Sequence, residues 1–168
     1  MNLKKSIISS LFLAIGLILH QISPPLLMGM KPDFLLAMLF IALFINNDYK
    51  NVVIISIVAG ILTAATTTFP GGQIPNIIDK LITCQCLYVI CKLVKNINND
   101  YIKVGLVSII GTLISGTTFL VSALFLFGLP APLSVLMVTV VLPATVINFI
   151  ATTLLYGAVK VALKHTAY

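Results

Sequence analysis

The side chains able to do chemistry gather in two short stretches. SPPLLMGMKPD (23 to 33) carries Lys31 and Asp33, and TTTFPGGQIPNIIDK (66 to 80) ends in Asp79 and Lys80, so each places an aspartate within two residues of a lysine. In the second stretch Asn76, Asp79, Lys80 and Thr83 recur at i, i+3, i+4 and i+7, which sets four polar side chains on one helical stripe. Such a stripe faces protein or water rather than lipid. Gly71 and Gly72, just before it, permit a turn or the close approach of a ligand. A carboxylate beside an ammonium suits a molecule that carries both charges, of which an amino acid is the simplest. Its ammonium asks for a carboxylate, and its carboxylate for lysine, amide donors or a helix N-terminus. The plainer readings are an N-cap aspartate with a snorkelling lysine at Lys31/Asp33 and a capped extracellular turn at 66 to 80.

Other chemistries lack their parts. Cys84, Cys86 and Cys91 lie on one predicted helix with no histidine near them, which reads as packing rather than zinc binding. There is no H-E-x-x-H, no G-x-S-x-G and no Walker A string, and without glutamate there is no paired-carboxylate acid/base set. The residues make no case for an enzyme, a metal or a cofactor. Ten lysines and no arginine, scattered among apolar runs, form no basic patch and argue against a nucleic-acid partner.

The elements that must position these groups are membrane helices. Of 168 residues 60% are hydrophobic and 8% charged, and the mean hydropathy is +1.15, far from a soluble domain. Six spans of about 20 residues use about 120, which leaves no room for a soluble domain or an ATPase. Apolar runs between charges predict an all-α, single-domain bundle of six transmembrane helices, near 6 to 22, 33 to 48, 51 to 68, 76 to 94, 103 to 127 and 133 to 161. The first run resembles a signal peptide in following Lys4 and Lys5, but it has no A-x-A-like site before Ser23 and is expected to be retained.

Lysine placement sets the orientation. With both termini cytoplasmic, Lys4, Lys5, Lys50, Lys92, Lys95, Lys103, Lys160 and Lys164 lie inside and only Lys31 and Lys80 outside. Asp33 and Asp79 then neutralise the outer face, and His20 and His165 fall on opposite sides, so they cannot share a metal. The net charge of +6 and pI near 9.4 are thus an orientation signal, in a multi-pass protein of the cell membrane.

The spans carry further candidates. A second helix from Asp33 to Asn46 rises only about 21 Å against about 30 Å of hydrocarbon, which sinks Lys31 and Asp33 below the outer interface, where ionisable groups mark function by default. Pro143 predicts a kink in the sixth helix. Beyond it Asn148, Thr152 and Tyr156 recur every four residues, and Asn148 either bonds between helices or lines a ligand cavity. Gly105, Ser108, Gly111, Thr112, Ser115 and Gly116 make the fifth helix a packing face. Ser10 and Ala14 give the first helix a small-residue face suited to another membrane subunit. His20 reads as a capping or interfacial residue, with titration or ligand contact as the alternative, and Phe34, Phe69, Phe119 and Tyr156 are candidates for an apolar pocket.

GMKPD (29 to 33), FPGGQIPNIIDK (69 to 80) with the preceding LTAATTT, and LHQISPP (19 to 25) resemble the bacterial tryptophan transporter family, TrpP. The likeness runs over nearly the whole chain, mainly in hydropathy over the last third. That family is related to the substrate-binding S components of energy-coupling-factor transporters. The resemblance therefore implies an S-component-like six-helix fold, tryptophan uptake, and a loop after helix one (here 23 to 33) closing an outward-facing pocket. It also implies docking of helix one, through an AxxxA-like face, on an energy-coupling module of ATPase and membrane subunits. Here that face reads Ser10 and Ala14. The substrate-binding candidates are Lys31, Asp33, Gly71, Gly72, Gln73, Asn76, Asp79, Lys80, Thr83, Asn148 and Tyr156. Asp79 or Asp33 meets the ammonium, and Lys31, Gln73 or Asn76 the carboxylate. The competing readings are an S component for a vitamin or another aromatic amino acid, and a non-transporting structural or assembly protein.

Overall fold

FLLAMLFIALFI (34 to 45) has no polar side to offer anything, and a helix that is apolar all round belongs inside a bundle. It forms α2 (Phe34–Ile45), whose residues Leu35 through Leu43 are all buried, and it packs against every one of the other five helices. These are α1 (Leu3–Ile22), α3 (Tyr49–Thr66), α4 (Gln73–Leu93), α5 (Asp100–Leu126) and α6, in which Leu133–Leu136, Met137–Val141 and Leu142–Thr166 follow one another without a break. This is a computed structural model that describes residues 3–23 and 33–166, and among them there is no strand. α3, α4, α5 and α6 pack in sequence order, while α1 lies mainly on α2. Gly16 makes that last contact possible, since a Cβ there would stand 2.9 Å from the Met38 Cβ and 3.0 Å from the Leu35 Cα.

The six helices among the described residues are the six expected, with three informative differences. α2 is shorter than the predicted 33 to 48, and its 12 residues rise only about 18 Å. α4 starts at Gln73 rather than Asn76, so Pro75 lies in the first turn, where its missing N–H costs nothing. In α6 the helix widens to a π-helical turn at Met137–Val141, just before the expected kink site Pro143. Such turns admit an extra residue and recur at functional sites.

Among the described residues four helices are long and apolar enough to cross a membrane: Lys4–Ile22, Tyr49–Thr66, Asp100–Leu126 and Leu133–Lys164. Their outer faces expose Ile7, Ile18, Ile61, Val146 and Leu154, as lipid-facing helices do. The polar side chains point the other way. Asp79, Lys80, Thr83, Ser115 and Asn148 are all buried.

The α3–α4 turn depends on Gly71, whose φ of +72° is left-handed and where a Cβ would come within 2.8 Å of the Phe127 ring. Gly71→Ala is expected to cost about 1–2 kcal/mol for the backbone alone, with the ring clash added. A melting temperature equal to that of the parent protein would contradict it.

Candidate functional site

A cavity of about 640 Å³ opens at the end of the bundle where α1 and α3 finish and α2 and α4 begin. That volume is ordinary for a small-molecule site. All six helices line it, with the Thr63 to Phe69 stretch at its rim and α5 and α6 behind.

Its floor is an ion pair. Asp79 and Lys80 are 1% and 2% exposed. Helix neighbours one residue apart do not face each other, so the flexible lysine stem folds back to let Lys80 Nζ donate to Asp79 Oδ2. Ser115 Oγ donates to the same oxygen at 2.8 Å and accepts from Lys80 Nζ at 3.2 Å. Thr83 Oγ1 donates to Asp79 Oδ1 at 2.8 Å from the next turn of α4. A buried pair is tolerable only with such satisfaction. Both carboxylate oxygens are engaged, while Lys80 has used two of its three N–H donors.

The mouth is built on Asp33. Its side chain caps α2 by accepting from Leu36 N at 2.9 Å, and its own N–H donates to Asn148 Oδ1 at 3.1 Å. His20 Nδ1 lies 3.8 Å from Asp33 Oδ1, and both residues line the cavity. Asn148 Nδ2 also reaches Thr112 Oγ1 at 3.5 Å, tying α6 to α5. The apolar wall includes an edge-to-face pair, Phe69 and Phe119, with centroids 5.3 Å apart. Opposite polar groups, Val140 and Val141 of the π-helical turn and Ala144 complete the lining.

The sequence-predicted residues divide cleanly. Asp33, Asn76, Asp79, Lys80 and Asn148 come together on the lining, and Thr83 stands directly behind it. The N-terminal end of α4 expected at Asn76 is at Gln73 instead. Asn76 sits in the first turn and donates from Nδ2 to Gly72 O at 2.8 Å. Gly71, Gly72 and Gln73 are not on the lining: the glycines shape the turn, where a Cβ on Gly72 would meet Thr67 Oγ1 at 2.6 Å, and Gln73 is exposed. Tyr156 is far from the cavity and stacks edge-on with Phe44 and Tyr101. Its four-residue spacing from Asn148 and Thr152 keeps it on one face, but eight residues carry it about 12 Å along the helix. Phe34 is likewise off the lining. Lys31, and the 24–32 part of the segment expected to close over the pocket, lie outside the described residues. Ser115 and Thr112 were not among the predicted ligand contacts, yet they line the site, as does His20, for which ligand contact stood as the alternative to a capping or interfacial role. Thr112 and Ser115 are three residues apart, a polar stripe hidden among small packing residues.

Comparison with known proteins decides the family. A family model described as "Tryptophan transporter TrpP" matches residues 2–164. The chain belongs to the TrpP family. Relatives of this TrpP chain each carry the name "Probable tryptophan transport protein". The one from Clostridium acetobutylicum is 54% identical over 98% of this chain and 96% of its own length. The one from Bacillus subtilis is 41% identical over 100% and 97%, and the one from Clostridium perfringens 39% over 99% and 96%. No solved structure matches this TrpP member.

Proposed function

We propose that this TrpP-family chain imports tryptophan across the cell membrane and holds the zwitterion between Asp33 and Lys80. The observation that carries the reading is the joint presence, in one cavity, of a carboxylate at the mouth and a lysine at the floor with an aromatic pair beside them. The third Lys80 N–H serves the substrate carboxylate. Asp79 has both oxygens occupied, which favours Asp33 for the ammonium, since its capping bond uses only Oδ1. The indole packs near Phe69 and Phe119, a contact suited to aromatic faces and edges.

The lysine distribution favours a cavity mouth outside and both termini inside. Energy comes from other chains or from an ion gradient. Ser10 and Ala14 are exposed on α1 beside Leu11 and Ile18, which leaves that small-residue face open to a coupling module.

Binding is directly measurable because the chain has no tryptophan. Mixing the purified protein with tryptophan is expected to shift the indole emission to shorter wavelength, and phenylalanine or a vitamin should reverse the shift poorly. An unshifted spectrum, together with no ligand-induced rise in melting temperature, points instead to a structural membrane protein. Reversal by another compound at lower concentration would reassign the substrate.

A further inference from the structure

At the other end of the bundle is a second hollow, of about 520 Å³, whose lining shares no residue with the first cavity. Lys5 of α1, Lys92 near the end of α4, Lys95 in the following turn and Lys103 near the start of α5 line it, against Asp48 on the lining and Asp100 paired with Lys103. Lysines are expected on a cytoplasmic face in any case. Four of them around one concavity, from three different helices and a turn, are more than topology requires.

Two buried amide atoms carry the argument further. Asn46 lines the hollow, is 5% exposed, and its Nδ2 donor has no hydrogen-bond partner among the described residues. Asn47 Nδ2 donates to Tyr88 O at 3.2 Å, whereas its Oδ1 acceptor is also buried without a partner. The loop is not slack, since Asn51 Nδ2 holds Asn46 O at 2.9 Å. Buried polar atoms of this kind are rare and call for an occupant. The hollow thus presents positive charge, one unmet donor and one unmet acceptor, with Phe44 and Ile45 as an apolar wall.

We infer that this hollow binds a phosphate group that also carries a hydroxyl. The lysines and Asn46 Nδ2 take phosphate oxygens, and Asn47 Oδ1 takes the hydroxyl hydrogen. Lys92 and Lys103 are already oriented, the first by the Tyr88 hydroxyl and the second by Asp100 at 3.3 Å. Two sources have this chemistry. One is a lipid phosphodiester with a hydroxylated headgroup, since basic pockets between helices on the cytoplasmic side hold anionic headgroups. The other is free monobasic phosphate.

The test uses the full chain in a neutral detergent, with melting followed by circular dichroism. Phosphatidylglycerol, phosphatidylcholine, inorganic phosphate and sodium chloride at matched ionic strength are added separately. Phosphatidylglycerol or phosphate is expected to raise the melting temperature by a few degrees while phosphatidylcholine and chloride do not. The K92Q/K95Q variant, altered only at exposed side chains, should need at least tenfold more ligand, and K50Q, which alters a lysine outside the hollow, no more than the parent. A response to phosphatidylglycerol alone assigns the lipid, and a response to inorganic phosphate assigns the soluble anion. Equal responses to chloride or phosphatidylcholine, an unchanged K92Q/K95Q response, or no response at all overturn the inference. Indole emission with added tryptophan is read separately on each variant, so failure of either site is visible without the other.

Discussion

Lys80→Met is expected to abolish tryptophan uptake and to lower the yield of folded protein, and adding Asp79→Asn is expected to restore the yield but not the uptake. Removing one partner of a buried pair leaves the other charge uncompensated, at a cost of about 3–5 kcal/mol, whereas replacing both is far milder. In Lys80→Met the stranded group is Asp79, 1% exposed, with only the Ser115 and Thr83 hydroxyls left to it. Asp79→Asn relieves that burden because an amide keeps an oxygen for one hydroxyl and carries no charge. Neither variant keeps the Lys80 ammonium proposed to meet the substrate carboxylate. Losing one charge-assisted bond of about 1.5–3 kcal/mol weakens binding roughly 10- to 150-fold. Melting curves and indole emission on the single and double variants separate the two effects. A double variant that transports at the parental rate would make the pair purely structural.

Why the pair was legible in sequence, and its surroundings less so, follows from what periodicity encodes. Asn76, Asp79, Lys80 and Thr83 share a stripe on one helix, and a polar stripe in an apolar chain has only protein or water to face. Three of the four line the cavity and the fourth stands behind it. Ser115 is different. Its partner lies 36 residues away on a neighbouring helix, and helix pairing is not written in the spacing of either helix alone. The same gap explains Tyr156, which is buried on the same helix as Asn148 but stands off the cavity lining.

The short second helix carries two signals at once. Its length bears on the depth of Lys31 and Asp33 in the bilayer. Its composition, apolar in every direction, says that it is surrounded by other helices, and α2 does touch all five. A helix enclosed in this way need not match the hydrocarbon thickness, because its ends meet protein. Asp33 can therefore be both the N-cap of α2 and a wall of the cavity. The two readings of that residue were compatible all along.

The same dual use makes Asn148 the next most sensitive position. In Asn148→Leu the Asp33 N–H loses its acceptor, and Thr112 loses a donor 3.5 Å away. An unmet donor costs about 1–3 kcal/mol when fully buried and less for the partly buried Asp33 N–H, and here the loss falls on the residue proposed to hold the substrate ammonium. The expected result is a modest drop in melting temperature with at least a tenfold loss of tryptophan affinity. Thr152→Val supplies the comparison. It also breaks a buried α5–α6 hydrogen bond, from Ser108 Oγ at 3.1 Å, but one turn further along α6 and off the cavity lining. If Asn148 only glued helices together, the two variants would lose stability alike and bind alike. If it sets the position of Asp33, they lose similar stability and differ in affinity, and Asn148→Gln, which keeps the amide at a shifted reach, falls between them. Equal affinity in Asn148→Leu and Thr152→Val would remove Asn148 from the binding site and leave Asp33 held by its cap alone.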